Sequence, residues 1–270
     1  MKNLFFFLFA FAAFLTACND NEAASQNNVT TEPDVAIEDM KKPEPTAVTV
    51  TDFGGTQDFP NAKMTSMQYA GGKFTYGVAD YELGAQTPDA GGLMCANSDK
   101  GQHIHLIVDN EPYIAKYEAT FEQDIADGTH HVLSFLSRSY HESIKNNTAS
   151  KAMKVSVKDG AFAKQKPIED PMLFYSRPKG TYVGKDTEKV LLDFYPVNVT
   201  LGADYKVKVE VNGESVDVLE EWKPYALKGL PMGDSKVTLT LIDGKGTAVK
   251  APFNPVTRVI TLKPDPANQG

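Results

Sequence analysis

Apolar and polar residues alternate along most of the chain after residue 62. The two-residue period is clear in Lys73–Val78, Tyr205–Val211 and Lys236–Leu241. Side chains on a β-strand point alternately to its two faces, so this period predicts strands with one buried face. Turn-forming pairs such as Asn212-Gly213 recur at short intervals, and no amphipathic helix of three turns is apparent. This pattern predicts an all-β protein of the β-sandwich type.

The predicted strands fall into two copies of one module. The strand His103–Val108 aligns with Lys206–Val211, and the turns that follow both strands align as well. The number of residues between aligned positions of the two copies changes only slightly downstream, as a loop insertion would produce. We therefore predict two tandem immunoglobulin-like β-sandwich domains, at 63–165 and 166–264, followed by a short tail at 265–270.

Residues 1–17 have the features of a lipoprotein signal peptide. Lys2 supplies a positive end, and the apolar run Phe5–Leu15 is too short for an ordinary membrane span. The run ends in a sequence that resembles the bacterial lipobox, in which the signal is cut before a cysteine that becomes lipidated. We expect Cys18 to be this lipidated residue. A cleaved signal followed by an unmodified cysteine is the alternative.

The segment after Cys18 is predicted to be a flexible tether. Residues 19–46 are rich in Asn, Glu, Thr, Ala and Pro, and they contain too few large apolar groups to form a core. We extend this tether to residue 62. Asp20 and Glu22 resemble the acidic patch of surface-exported lipoproteins in Bacteroidota, although acidic residues here signal inner-membrane retention in other bacteria. We expect a lipid-anchored protein in a Gram-negative envelope, on the outer membrane, with the periplasmic or surface face undecided.

Charge and cysteine content narrow the possible partners. The net charge is −8 and no basic run is present, which argues against nucleic acid as a partner. The chain has two cysteines. If Cys18 carries lipid, Cys95 has no intramolecular partner and core burial alone must hold the fold.

All five histidines lie between His103 and His141, and the second copy of the module has none. Histidine is the usual titrating and metal-ligating side chain near neutral pH, so we expect the first copy to carry the function. His103 and His105 align with two lysines that alternate with apolar residues. We therefore expect both histidines to project together from the solvent-facing side of the sheet.

The other histidine-bearing strand has an unusual outer face. His131, Leu133 and Phe135 occupy positions where the second copy has only polar residues. An outward apolar patch with titratable groups is typical of a binding surface. The alternative is that another strand, the tether or the second domain covers it.

A His-x-His pair with further histidines nearby predicts a transition-metal site. The candidate ligands are His103, His105, His131 and His141, with His130, Cys95 and Met94 as lesser candidates. Imidazole ligands favour Cu(II) or Zn(II), whereas thiolate and thioether ligands favour Cu(I). Alternatively, the histidines form hydrogen bonds that hold loops in place.

An enzyme is not predicted, because the chain lacks a zincin helix, a Gly-x-Ser-x-Gly elbow and a P-loop. The alternative to metal binding is a module that binds a peptide, a phosphate group or a partner protein of the envelope. Arg138, Tyr140 and Arg177 lie near hydroxyl groups and are the candidate contacts. Trp222 is a further candidate aromatic contact.

Segments 81–84, 101–110 and 137–143 resemble a group of Bacteroidota envelope lipoproteins, sometimes labelled phosphopeptide-binding, and the likeness extends over most of residues 70–263. The first half also resembles small immunoglobulin-like periplasmic domains that have a Gly-x-His-x-His strand, a Gly-x-His turn and a later histidine. The matching residues here are His103, His105, His130 and His141. The resemblance implies a β-sandwich with a shared set of histidines.

Overall fold

The computed structural model describes residues 47–93 and 95–268. This part of the chain contains no α-helix, only three short 3-10 turns, and none of its helices is long and apolar enough to cross a membrane. The strands are β1 Thr49–Asp52, β2 Lys63–Ala70, β3 Lys73–Ala79, β4 His103–Val108, β5 Ile114–Lys116, β6 Thr120–Glu122, β7 Gly128–Ser137, β8 Ser150–Lys158, β9 Ala161–Pro167, β10 Met172–Arg177, β11 Gly180–Val183, β12 Val190–Val197, β13 Tyr205–Val211, β14 Glu214–Leu219, β15 Tyr225–Lys228, β16 Gly233–Asp243 and β17 Val256–Lys263.

Four sheets form two sandwiches with equivalent topology. The first sandwich has sheets of order β2-β3-β6 and β5-β4-β7-β8-β9, and the second has β1-β15-β12-β10 and β11-β17-β16-β13-β14. The two copies match apart from β1, β9 and β11. β2, β3 and β6 share one sheet as β10, β12 and β15 do, and the opposite sheets correspond as β5-β4-β7-β8 and β14-β13-β16-β17, as in immunoglobulin-like folds. Each sandwich encloses its own apolar core. The prediction of tandem β-sandwiches is confirmed.

The first strand of the described residues belongs to the second sandwich. β1 pairs antiparallel with β15, from Thr49 opposite Lys228 to Asp52 opposite Tyr225. Phe53 is buried in an apolar cluster with Tyr140 and Leu191, and Ala62 is buried in the core of the first sandwich. The tether predicted at 18–62 is therefore wrong for residues 49–62. Residues 18–46 lie outside the described part of the chain.

The two sandwiches meet through apolar faces of their adjoining sheets. β4 and β7 contribute residues to this interface from one side, and β10 and β12 from the other. Its apolar members are Ile107, Tyr113, Leu133, Phe135, Ile168, Met172, Phe174, Tyr195 and Val197. β10 and β12 are consequently buried on both faces. The sequence showed an apolar outer face at His131, Leu133 and Phe135. The second domain covers this face at Leu133 and Phe135.

The interface also explains why the prediction that His103 and His105 face solvent was wrong. His103 and His105 do share one face of the strand, opposite Ile104 and Leu106. Both histidines are nevertheless 0% exposed. Alternation along a single strand separates its two faces, but it cannot show that a second domain covers the outer one.

Truncating Phe135 tests whether the interface stabilises the fold. Phe135 is fully buried, and its ring stacks on Tyr195 with centroids 5.5 Å apart. We expect Phe135→Ala to lower the free energy of unfolding by about 3–5 kcal/mol, measured by urea denaturation. Val259→Ala, at a side chain that is 55% exposed, is the control and should change it by less than about 0.5 kcal/mol. Equal effects of the two substitutions would contradict a stabilising interface.

Candidate metal centre

Three of the five histidines converge beside the interface between the sandwiches. His103 and His105 lie on β4, and His141 lies in the turn that follows β7. One ring nitrogen from each lies within 4.8 Å of the others. Nε2 of His103 is 2.8 Å from Nε2 of His105 and 3.1 Å from Nδ1 of His141. We call these three residues the histidine triad.

Strand pairing and a tight turn bring His141 to β4. His103 is paired with Ser137, so β7 ends directly beside it. The His141 N–H then donates to the carbonyl oxygen of Arg138 at 2.9 Å, which closes a turn. His141 has a φ of +70°, a left-handed conformation that is uncommon for residues other than glycine. This reversal places the His141 ring 4.8 Å from that of His103, measured between centroids.

The backbone carbonyl of Gly101 orients His103. It accepts a hydrogen bond from Nδ1 of His103 at 2.8 Å, so the lone pair of this neutral ring lies on Nε2 and points toward the triad. Gly101 has a φ of +82°, and a Cβ there would lie 2.3 Å from the carbonyl oxygen of Gly84. Only glycine fits this position. A carbonyl behind the imidazole is the usual outer support of a metal-ligating histidine.

His105 is held from both sandwiches. Its Nδ1 lies 3.4 Å from Oγ of Ser176, which belongs to β10 of the second sandwich. Its ring stacks on Tyr113 with centroids 3.6 Å apart and an interplanar angle of 8°. The Tyr113 hydroxyl also lies 3.3 Å from Nδ1 of His141. The triad is therefore packed against residues that have few alternative positions.

Burial keeps the triad in its neutral form. The pKa of His103 is lowered to about 4, chiefly by burial and also by the nearby Arg177 guanidinium, against the hydrogen bond to Gly101, which raises it. Burial also lowers the pKa of His105 and of His141 well below the usual value, together with the positive charge of neighbouring imidazoles and Arg177. Neutral imidazoles have the free lone pair that a metal ion requires.

The other two histidines are not part of the triad. His130 uses both ring nitrogens elsewhere, at 2.6 Å from a carboxylate oxygen of Asp109 and 2.9 Å from the carbonyl oxygen of Ala126. His131 packs edge-on against Phe253. It lies four residues before Phe135, the partner of His105, which corresponds to about 13 Å along an extended strand. The structure therefore does not assemble the predicted site that included His131.

The sulfur-containing candidates are also elsewhere. Cys95 packs against the separate apolar cluster of Phe53, Tyr140 and Leu191. Burial raises the pKa of its thiol to about 11, so the thiol stays protonated at neutral pH. Met94 and Cys18 lie outside the described residues.

Two residues predicted to contact a peptide or phosphate ligand have internal roles. The Arg138 guanidinium is buried, lies 3.1 Å from the Glu142 carboxylate and donates to the carbonyl oxygens of Gln57 and Ser143. Tyr140 is 1% exposed. The expectation that these side chains present a ligand-binding surface is wrong, because Arg138 supports the turn that positions His141 and Tyr140 packs in an apolar cluster with Phe53.

Arg177 and Tyr113 lie beside the triad. Arg177 is 7% exposed, and its guanidinium carbon is 5.3 Å from the centroid of the Tyr113 ring. It donates to the Tyr182 hydroxyl at 3.1 Å. Tyr113 was not predicted as a site residue, since it lies in a loop after β4 that has no apolar period. A single aromatic residue after the polar run Asp109–Glu111 is the sequence signal that could have indicated it.

Comparison with known proteins gives little beyond the general fold. No family model matches the chain, and no curated protein matches it. Among solved structures, fibronectin(III)-like modules of Clostridium thermocellum CbhA are 17% identical, with a TM-score of 0.29, covering 35% of this chain and 99% of theirs. The central fibronectin-III array of RIM-binding protein is 12% identical, with a TM-score of 0.26, covering 77% and 71%. The Bacteroides ovatus protein SGBP-B, solved with a mixed-linkage heptasaccharide, is 6% identical, with a TM-score of 0.20, covering 81% and 71%.

The buried histidines predict that acid destabilises the fold. The pKa of His103 is about 4 in the folded protein, against about 6.5 in an unfolded chain. Between these values the unfolded chain binds more protons, so the free energy of unfolding is highest above about pH 6.5 and decreases toward pH 4. We expect a loss of about 2 kcal/mol from His103 alone between pH 6.5 and 5, measured by urea denaturation with a chelator present. His103→Gln should show a smaller acid-induced loss. An unchanged loss would contradict the assignment.

Proposed function

We propose that this protein binds a transition-metal ion, copper or zinc, through His103, His105 and His141. The observation that carries the proposal is the convergence of three neutral imidazole nitrogens, two pairs of which lie 2.8 and 3.1 Å apart. Metal–nitrogen bonds of 2.0–2.1 Å in tetrahedral geometry separate the ligand atoms by about 3.3 Å. A small adjustment of the rings would thus accommodate an ion.

Electron pairs at the centre of the triad favour a cation there. The lone pair on Nε2 of His103 faces nitrogens of both His105 and His141. One proton can serve only one of these contacts at a time, whereas a metal ion accepts three lone pairs at once. The orientation of His103 by the Gly101 carbonyl supports the same interpretation.

The donor set favours Cu(II) or Zn(II). Among the described residues, the triad consists of imidazoles only, and Cys95 is engaged in another cluster. Imidazole suits both of these ions, whereas thiolate or thioether ligands would have favoured Cu(I). We propose a binding protein rather than an enzyme, since the sequence carries none of the catalytic motifs considered above.

We further propose that the protein is held in a Gram-negative envelope by a lipid on Cys18. The support is the signal-like sequence at residues 1–17 and the polar segment that follows it. β1, the first strand of the described residues, starts close to the end of that segment. The metal site would then be displayed at the end of a short membrane tether.

A groove beside Trp222 supports the alternative of a peptide or partner protein as ligand. The groove has a volume of about 610 Å³, and its lining includes Asn147, Tyr195 and Thr200. The Trp222 indole N–H donates to the carbonyl oxygen of Phe194 at 2.9 Å, which fixes the ring at the groove. Aromatic rings held in this way are common contacts in protein interfaces.

Calorimetric titration of residues 19–270 with Cu(II) and Zn(II) tests the metal proposal. We expect one ion to bind per chain with micromolar affinity or better, as is expected for a site with three histidine ligands. His103→Ala/His105→Ala should abolish this binding, since it removes two of the three converging ligands.

The matched control is His130→Ala/His131→Ala, which also removes two neighbouring histidines of the same domain but leaves the triad intact. This control should bind like the wild type. Absence of binding by the wild-type protein, or equal loss in both double variants, would contradict a metal site at the triad and favour the partner-binding alternative.

A further inference from the structure

We infer that Tyr113 is the fourth ligand of the metal site, through its hydroxyl oxygen. This inference rests on the proposed metal-binding function. It deepens that function, because a fourth ligand from the protein determines which oxidation state of the metal the site prefers.

The position of the Tyr113 hydroxyl matches that of a fourth ligand. Its oxygen lies 3.3 Å from Nδ1 of His141, which itself is 3.1 Å from Nε2 of His103. These separations are close to the edge of about 3.3 Å expected for a tetrahedron around an ion with bonds near 2.0 Å. The Tyr113 oxygen therefore lies at ligand spacing from the His141 nitrogen, beside the volume on which the three imidazole nitrogens converge.

The Tyr113 side chain is held in this position. Tyr113 is 4% exposed, and its ring lies flat against His105 at 3.6 Å. Its backbone carbonyl accepts a hydrogen bond from the Lys179 ammonium group at 2.6 Å, which ties the loop to the second sandwich. A ligand fixed before the metal arrives loses little conformational freedom on binding.

Charge balance favours an anionic oxygen at this position. Three neutral imidazoles leave the full positive charge of a divalent ion in a buried site, and the Arg177 guanidinium is close by. The nearest buried carboxylates are already paired, Asp193 with Lys145 and Glu142 with Arg138. When the Tyr113 oxygen binds the metal, its proton leaves to solvent and the oxygen–metal bond replaces the O–H bond. The resulting phenolate offsets one positive charge.

Two cations lie behind the Tyr113 ring. Burial raises the pKa of the Tyr113 hydroxyl and the Arg177 guanidinium opposes this rise, so the bond to the metal has to displace the proton. The Lys179 ammonium group is 4.2 Å and the Arg177 guanidinium carbon 5.3 Å from the ring centroid. A positive charge near an aromatic ring is attracted to its electrons, and the attraction increases when the ring carries negative charge. A hard anionic oxygen beside three imidazoles favours Cu(II) over the softer Cu(I).

Tyr113→Phe tests the inference, because it keeps the ring on His105 and removes only the oxygen. Tyr117→Phe is the matched control. Tyr117 also lies beside the triad, with its ring centroid 5.0 Å from that of His103, but its hydroxyl hydrogen-bonds to Oγ of Ser98 at 2.7 Å. Each variant is titrated with Cu(II) and, under reducing conditions, with Cu(I), and the absorption spectrum is recorded.

We expect a visible phenolate-to-Cu(II) charge-transfer band in the wild type and in Tyr117→Phe, and no such band in Tyr113→Phe. We also expect Tyr113→Phe to bind Cu(II) on the order of 100-fold more weakly, since losing even an outer support costs 10–100-fold. Its affinity for Cu(I) should change by less than about threefold. Circular dichroism and urea denaturation of each variant show whether it is folded.

Three outcomes would overturn the inference. Wild-type affinity and an unchanged spectrum in Tyr113→Phe would exclude Tyr113 as a ligand and leave the three-histidine proposal intact. Copper binding that requires the histidines but gives no charge-transfer band in the wild type would assign the fourth position to solvent. No Cu(II) binding by the wild type would remove the proposed function and this inference together.

Discussion

The contact between the two inner sheets is the constraint on which the rest of the structure depends. It excludes water from one face of β4 and β7, and it makes β10 and β12 interior strands of the whole molecule. Polar groups fix its alignment. The side chain of Asn110, in the turn after β4, donates to the carbonyl oxygen of Leu173 at 2.9 Å and accepts from the Tyr175 N–H at 2.9 Å. Since an unsatisfied buried polar group is costly, these bonds favour one register over others.

The interface changes character along β4. Ile107 lies within its apolar part, whereas His105 and His103, on the same face, lie at a polar end beside Ser176. This one strand thereby connects a dry contact that holds the sandwiches together to a group of titratable nitrogens. The same burial that stabilises the interface keeps the imidazoles neutral. Stability and the chemistry of the site therefore have a common cause.

Much of the architecture could be predicted from the sequence, because it depends on local patterns. Alternation located the strands, the duplication was visible at the strand His103–Val108, and the shared face of His103 and His105 follows from their spacing. The burial of that face, the approach of His141 and the involvement of Tyr113 could not be predicted in this way. The burial depends on a second domain that covers the face, and the approach of His141 depends on a turn in which this residue has a left-handed backbone. Tyr113 lies in a loop that has no apolar period.

The errors have related physical reasons. His131 has the same orientation on its strand as Phe135, but orientation does not give distance, and the strand carries it away from the triad. β1 has no apolar pattern that would predict a strand, since a four-residue edge strand needs few apolar side chains when a partner strand is already present. In both cases a long-range pairing determined the result.

The position of β1 has a consequence for how the protein is made. This strand leaves the ribosome before either sandwich exists, yet its partner β15 lies near the end of the second one. β1 therefore cannot pair until Tyr225–Lys228 have been synthesised. During that interval its unpaired backbone is open to other partners, including the edges of other newly made chains. Closing β1 onto β15 is consequently a late step of folding, and it joins the beginning of the described chain to its last domain.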